Sequence, residues 1–172
     1  MSKQLLIMRH AKSDWSVNTS DFKRPLKLRG KSAAQHMGIW LLQNNLLPDY
    51  ILSSPAERAK NTTQILVKAM GLTSKQIHYD AQLYTAELRD LRNTLATCPL
   101  NAQRVLLIGH NPELESLLEC LVKNDLEIPS NGKRLPTATV AGLDMPQDWS
   151  NLTANCAKLL FIMRPKQLLA YQ

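Results

Sequence analysis

Three short apolar runs in this chain each lead into residues that do chemistry, and that repeated layout constrains the fold more than any other feature. They are Leu5-Leu6-Ile7-Met8 before Arg9-His10, Tyr50-Ile51-Leu52 before Ser53-Ser54-Pro55, and Val105-Leu106-Leu107-Ile108 before Gly109-His110. Apolar runs this short, bounded by turn or cap residues, read as buried strands of a parallel sheet. Ligands of such sheets sit outside the carboxyl ends of the strands. The layout therefore gathers Arg9, His10, Arg58 and His110 into one crevice, although they lie far apart in sequence. Two imidazoles and two guanidiniums in one place describe a phosphate site with a candidate nucleophile.

Strand and helix signals alternate along the chain. The first strand spans roughly Gln4 to Arg9. A polar loop with Asp14, Trp15 and Asp21 follows, from Ala11 to about Pro25. The segment Lys27 to Asn44 reads as a helix, because Ala33, Met37, Trp40 and Leu41 share one face. Strand Tyr50 to Ser53 leads into Ser54-Pro55-Ala56-Glu57, which has the pattern of a capping box with Ser54 as N-cap and Pro55 at the first helical position. That helix should run to about Met70 and stop at Gly71, leaving Arg58 in its first turn near the positive end of the dipole. Ile77 to Tyr79 reads as a short strand, and Leu88, Leu91 and Leu95 mark another helix face. Arg104 to Gly109 is the clearest strand, and Asn111-Pro112 opens a helix with Glu113 and Glu115 in its first turn. Thr137 to Leu143 and Leu159 to Met163 read as late strands at one edge, with antiparallel pairing. The alternation predicts an α/β three-layer fold.

At 172 residues, with no linker or repeat, the chain reads as one domain over 1–172. The apolar stretches fall far short of the roughly 20 residues a membrane helix needs, and no secretory signal is visible. Cys98, Cys120 and Cys156 form no CxxC and read as reduced thiols, so a cytoplasmic protein is expected. The net charge of +7 is spread along the chain without a basic block, which argues against nucleic acid and suits the steering of an anionic substrate. Neither histidine of the crevice has a carboxylate or cysteine at metal-ligand spacing, so no metal and no cofactor is expected. His36, within a helix, and His78, in a weak strand, read as structural.

Phosphoryl transfer to a side chain needs a nucleophile, donors around the equatorial oxygens and stabilisation of developing charge. His10 is the candidate nucleophile. Arg9 and Arg58 can fork onto phosphate oxygens, His110 can donate a further bond, and Arg24 joins them if the first loop folds over the site. Positive neighbours should bias His10 toward its neutral form.

These motifs resemble the histidine phosphatase superfamily, whose hallmark Arg-His-Gly appears here as Arg9-His10-Ala11. Ser53-Ser54-Pro55-Ala56-Glu57-Arg58-Ala59 and Gly109-His110-Asn111-Pro112 match the segments that carry its second arginine and second histidine. Lys12-Ser13-Asp14-Trp15, Arg24-Pro25-Leu26, Leu28-Arg29-Gly30 and the short length point to the SixA-like phosphohistidine phosphatase branch. The resemblance covers nearly the whole chain and thins after Leu126. It implies a three-layer α/β/α sandwich of the phosphoglycerate mutase type with a mostly parallel central sheet. It also implies His10 as the phosphorylated residue, with Arg9, Arg24, Arg58 and His110 as the phosphate pocket. Ala11 departs from the usual glycine, which is tolerable where φ is negative.

A general acid is the open element. Many relatives use a carboxylate to protonate a leaving ester oxygen, and Glu87, after Leu83-Tyr84-Thr85-Ala86, lies in about the right region. As a residue at a helix start it equally serves the dipole, and Asp14 is another candidate. Small SixA-like members lack a clear acid, and imidazole leaves phosphorus more easily than alkoxide does. The expected activity is removal of phosphate from phosphohistidine on a partner protein, such as a histidine phosphotransfer domain or a phosphotransferase-system carrier. A small-molecule phosphomonoesterase is the first alternative, and a non-catalytic module that binds phosphorylated partners is the second. Nothing in the sequence calls for a dimer, and a monomer is expected.

Overall fold

A computed structural model describes residues 2–122, 126 and 132–169. Its elements follow in the order β1 (Lys3–Arg9), α1 (Leu28–Gln43), β2 (Tyr50–Ser53), α2 (Glu57–Ala69), β3 (Ile77–Tyr79), α3 (Leu88–Ala96), β4 (Arg104–Gly109), α4 (Glu113–Val122), β5 (Val140–Met145), β6 (Lys158–Met163) and α5 (Pro165–Leu169). The strands make one sheet in the order β3-β2-β4-β1-β5-β6. Strands β3, β2, β4 and β1 are parallel, whereas β5 pairs antiparallel with both β1 and β6.

The unbroken apolar runs of β1 and β4 follow from their place in the middle of this sheet. Successive side chains of a strand point to opposite faces. Leu5, Ile7, Val105 and Leu107 pack with Leu91 and Leu95 of α3 and Leu114 and Leu117 of α4. Leu6, Met8, Leu106 and Ile108 face the other way, onto Met37 and Leu41 of α1, Leu66 of α2 and Leu168 of α5. Both faces are dry, so alternation with polar residues is absent. The result is a three-layer α/β/α sandwich with a mostly parallel sheet.

Register levels the strand ends. Arg9 pairs with Gly109 and Ser53 with Ile108, so the carboxyl ends of β1, β4 and β2 lie side by side. Gly38 allows α1 and α2 to cross closely, since a Cβ there would sit 2.7 Å from the Ala69 Cβ. Two boundaries near the site differ from the expectation. Helix α2 starts at Glu57 with Ala56 as its N-cap and no side-chain cap, so Ser54 is not its N-cap and Pro55 is not its first residue. Strand β5 starts at Val140, not Thr137. Ala138, with φ 58°, breaks the extended chain just before it.

Candidate active site

His10, Ser54 and His110 each follow the end of one of the three level strands. The His10 amide donates to Gly109 O at 3.1 Å and the Ser54 amide to Ile108 O at 3.0 Å, which extends the pairing past the strand ends. The two imidazole centroids are 5.2 Å apart. Sheet register, and not local sequence, creates this pair.

His10 has a defined tautomer. Its Nδ1 lies 2.7 Å from Ala11 O, and a carbonyl only accepts, so Nδ1 carries the hydrogen and Nε2 keeps a lone pair. The residue is only 6% exposed. Burial is the largest cause that brings its pKa down to about 3; the Ala11 bond opposes this, and His110, Arg58 and Arg9 add to the fall. The predicted direction holds, but desolvation outweighs the arginines. His110 is brought down to about 4 by burial first and Arg58 next. Its Nε2 is 2.8 Å from Ser54 Oγ.

Arg58, on the first turn of α2, and Arg9, at the end of β1, both face the histidines electrostatically. Burial lowers the pKa of both guanidiniums, with Asp21 opposing this for Arg58 and Glu115 for Arg9. Arginine starts so high that both stay charged at neutral pH. Arg9 Nε, Arg58 Nε and His110 Nδ1 are buried nitrogens with no hydrogen-bond partner among the described residues. Buried polar nitrogens are rarely left so, and guanidinium N–H groups beside two imidazoles suit an oxyanion.

The first loop does fold over the site. Its ends are tied by the Ser13–Leu26 bridge, by Asp14 N–H to Pro25 O at 2.8 Å and by Lys27 N–H to Lys12 O at 2.9 Å. Gly30 permits this contact, because a Cβ there would lie 2.3 Å from Lys12 O. Arg24 is buried in the loop; its Nε donates to Ser13 Oγ at 3.0 Å and its guanidinium stacks 3.7 Å from the Trp15 ring centre. Ala11 is absent from the residues with positive φ, so its methyl strains nothing. Its amide donates to Thr62 Oγ1 at 3.0 Å, and Thr62 donates on to Arg58 O at 2.7 Å, joining the loop after β1 to α2.

The carboxylates fall in different places. Glu87 is exposed at the N-terminus of α3, where its side chain and that of Asp90 form a capping box. Asp14 accepts from Ser16 N–H and Ser16 Oγ–H in an exposed turn, which holds its pKa low. Neither has a described contact with the two histidines. From the same stretch as Glu87 it is Tyr84 that reaches the site, with its ring edge-on to His110 at 5.8 Å. Asp21 is the carboxylate among the arginines. Oδ1 accepts from Arg24 Nη1 at 2.6 Å, and Oδ2 accepts from Tyr84 Oη at 2.6 Å and Arg58 Nη2 at 3.2 Å. In the sequence Asp21 stands out only as a loop residue, although its position three before Arg24 is a usable signal. Ser54 was read as a helix cap, and its hydroxyl instead meets His110.

Residues 5–92 match the histidine phosphatase superfamily (branch 1), and the chain belongs to that family. Histidine-based phosphatase chemistry is the activity that this family and this site define. An uncharacterized protein of Mycobacterium tuberculosis is 28% identical over 163 residues, covering 92% of this chain and 100% of the relative. A structure assigned as phosphohistidine phosphatase SixA from Agrobacterium tumefaciens superposes with a TM-score of 0.81 at 29% identity, covering 96% of this chain and 99% of that one. One with the same assignment from Nakamurella multipartita gives 0.80 at 27% identity, covering 96% and 97%. Among the described residues no helix is long and apolar enough to cross a membrane, and no group of three or more His, Cys, Asp or Glu side chains is placed to hold a metal ion.

Proposed function

We propose that this protein removes the phosphoryl group from phosphohistidine on a partner protein through a phospho-His10 intermediate. His10 Nε2 attacks phosphorus while the bond to the substrate's imidazole breaks and its electron pair returns to that ring. Arg9, Arg58, Arg24 and His110 hold the equatorial oxygens as charge shifts in flight. Water then attacks phospho-His10, the P–N bond breaks, and Nε2 regains its lone pair as phosphate leaves.

One observation carries the choice of substrate. Asp21, the carboxylate bonded to Arg24 and Arg58, is held far below the ordinary carboxyl range by the Tyr84 hydroxyl and two arginines, so it has no proton to give at neutral pH; Glu115, which acts on Arg9, has its Oε1 taken by Asn111 Nδ2–H and Leu135 N–H. An alkoxide leaving group needs such a proton. A phosphohistidine protonated on its other ring nitrogen departs as neutral imidazole and does not. The open mouth agrees with a protein-borne substrate: a cleft of about 390 Å³ lined by Trp15, Val17, Asp21 and Arg24 adjoins the site. Trp15 is 72% exposed there.

The test is phosphate release from a phosphohistidine protein and from an aryl phosphate, with wild type and His10→Ala. Preference for phosphohistidine, lost in the variant, is expected. Faster turnover of the ester would favour a small-molecule phosphatase and turn attention to Glu87. Binding of phosphate with no release from either substrate would favour a binding module.

A further inference from the structure

Among the described residues, Arg58 is bonded along one edge of its guanidinium. Nη1 donates to the Asp21 carbonyl at 2.8 Å and Nη2 to Asp21 Oδ2 at 3.2 Å, so a single residue takes the end-on fork. The side-on edge, Nε with the second hydrogen of Nη2, remains, and Nε is one of the buried unpartnered nitrogens. Asp21 takes Arg24 through Nη1 alone, at 2.6 Å, while Ser13 takes Nε. Its Oδ2 also accepts the Tyr84 hydroxyl, and the Tyr84 ring lies against His110 and Phe22. The backbone holds Asp21 in turn: Arg24 N–H donates to Asp21 O, and Glu57 N–H at the start of α2 donates to Phe22 O at 2.9 Å.

We propose that Asp21 is a positioning residue that aims the side-on edge of Arg58 at the phosphoryl group and, by its fixed negative charge, keeps the pocket from gripping free phosphate too tightly. The inference rests on the reading of this site as a phosphate pocket. Three guanidiniums and two neutral imidazoles with little opposing charge would form a strong trap for inorganic phosphate, the reaction's own product; Glu115 acts on Arg9, and Asp21 on Arg24 and Arg58. Asp21 offsets part of that charge through its bonds to Arg24 and Arg58, and its charge also acts on His110. Its carboxyl is half exposed, so solvent screens but does not cancel its repulsion of a bound dianion. The same carboxylate acts differently on ground state and product. Orientation of Arg58 favours transfer, and charge favours release.

The two effects separate in variants. Asp21→Asn keeps size and removes charge; Asp21→Glu keeps charge and alters the geometry. Inorganic phosphate binding by calorimetry and steady-state hydrolysis of a phosphoramidate are measured for wild type and both variants. Asp21→Asn should bind phosphate about tenfold more tightly, from a change of about 1.4 kcal/mol in electrostatic repulsion, while kcat falls. Asp21→Glu should bind phosphate no more tightly than wild type. A residue that only holds the loop together would weaken phosphate binding in both variants. Equal or weaker binding by Asp21→Asn, or tighter binding by Asp21→Glu, overturns the inference and leaves the phosphate-pocket reading intact. If wild type binds no phosphate and releases none, both fall together.

Discussion

Acidification from about pH 7 to about pH 5 should destabilise this fold through its two buried imidazoles. His10 and His110 take pKa values of about 3 and about 4 in the folded chain, chiefly through burial. The unfolded value is about 6.5. In the interval between, the unfolded chain binds protons that the folded chain refuses, so stability falls as pH falls. Each group contributes about 1.4 kcal/mol per pH unit once pH lies well below about 6.5. At about pH 5 this amounts to roughly 2 kcal/mol for each histidine, or about 4 kcal/mol for the pair, a large share of a typical domain's stability. Below the folded values the loss levels off. Urea unfolding followed by the fluorescence of buried Trp149 gives the free energy at each pH. His10→Gln is the control, because it removes one titrating group and should reduce the acid-induced loss by about half. Equal losses for wild type and His10→Gln over this window would refute the burial argument for His10.

Four further outcomes are expected. Ser54→Ala removes the hydroxyl against His110 and should lower phosphohistidine kcat about tenfold, with little change in the melting temperature; stopped-flow phosphate release reads this. Gly30→Ala brings a methyl onto Lys12 O, which cannot yield without moving the first loop, so phosphate affinity should drop several-fold in calorimetry while the sheet core stays folded by circular dichroism. Ala138 has φ 58° and is buried, so in Ala138→Gly relief of the left-handed penalty is offset by the lost buried methyl and the freer unfolded chain, and urea unfolding should shift by less than about 1 kcal/mol. Trp15→Ala should reduce kcat/KM for a phosphohistidine protein about tenfold and for a small phosphoramidate much less, as competing assays would show.

The parts of this molecule that were legible are those in which neighbours in sequence settle the outcome. The runs around Leu6 and Leu106 are apolar at every position because both sheet faces are covered, and a continuous run of that length has few other uses. The histidines were legible because they follow those runs directly. What escaped was set by distant partners. Ser54-Pro55-Ala56-Glu57 has the spacing of a capping box, yet the Ser54 hydroxyl meets His110, 56 residues away, and the helix starts later. Asp21 looked like one more polar loop residue because Arg58 and Tyr84, its other partners, lie 37 and 63 residues on. The start of β5 slipped for a similar reason. The Ala138 N–H is shared between the carbonyls of Arg9 and His10, at 3.1 and 3.2 Å, and that demand bends the chain out of the extended form.

The site is assembled from parts of unequal permanence. His10 and His110 grow from the two central strands, whose amides should exchange with solvent only when the whole domain opens. Arg24 and Asp21 ride on a loop closed by one bridge, a few backbone bonds and the polar contacts of Asp21 with Arg58 and Tyr84, with no strand pairing in the central sheet, so it can open at smaller cost. Warming should therefore release Arg24 and Asp21 while His10 and His110 remain in place. A protein built this way fails first as a binder and only later as a fold.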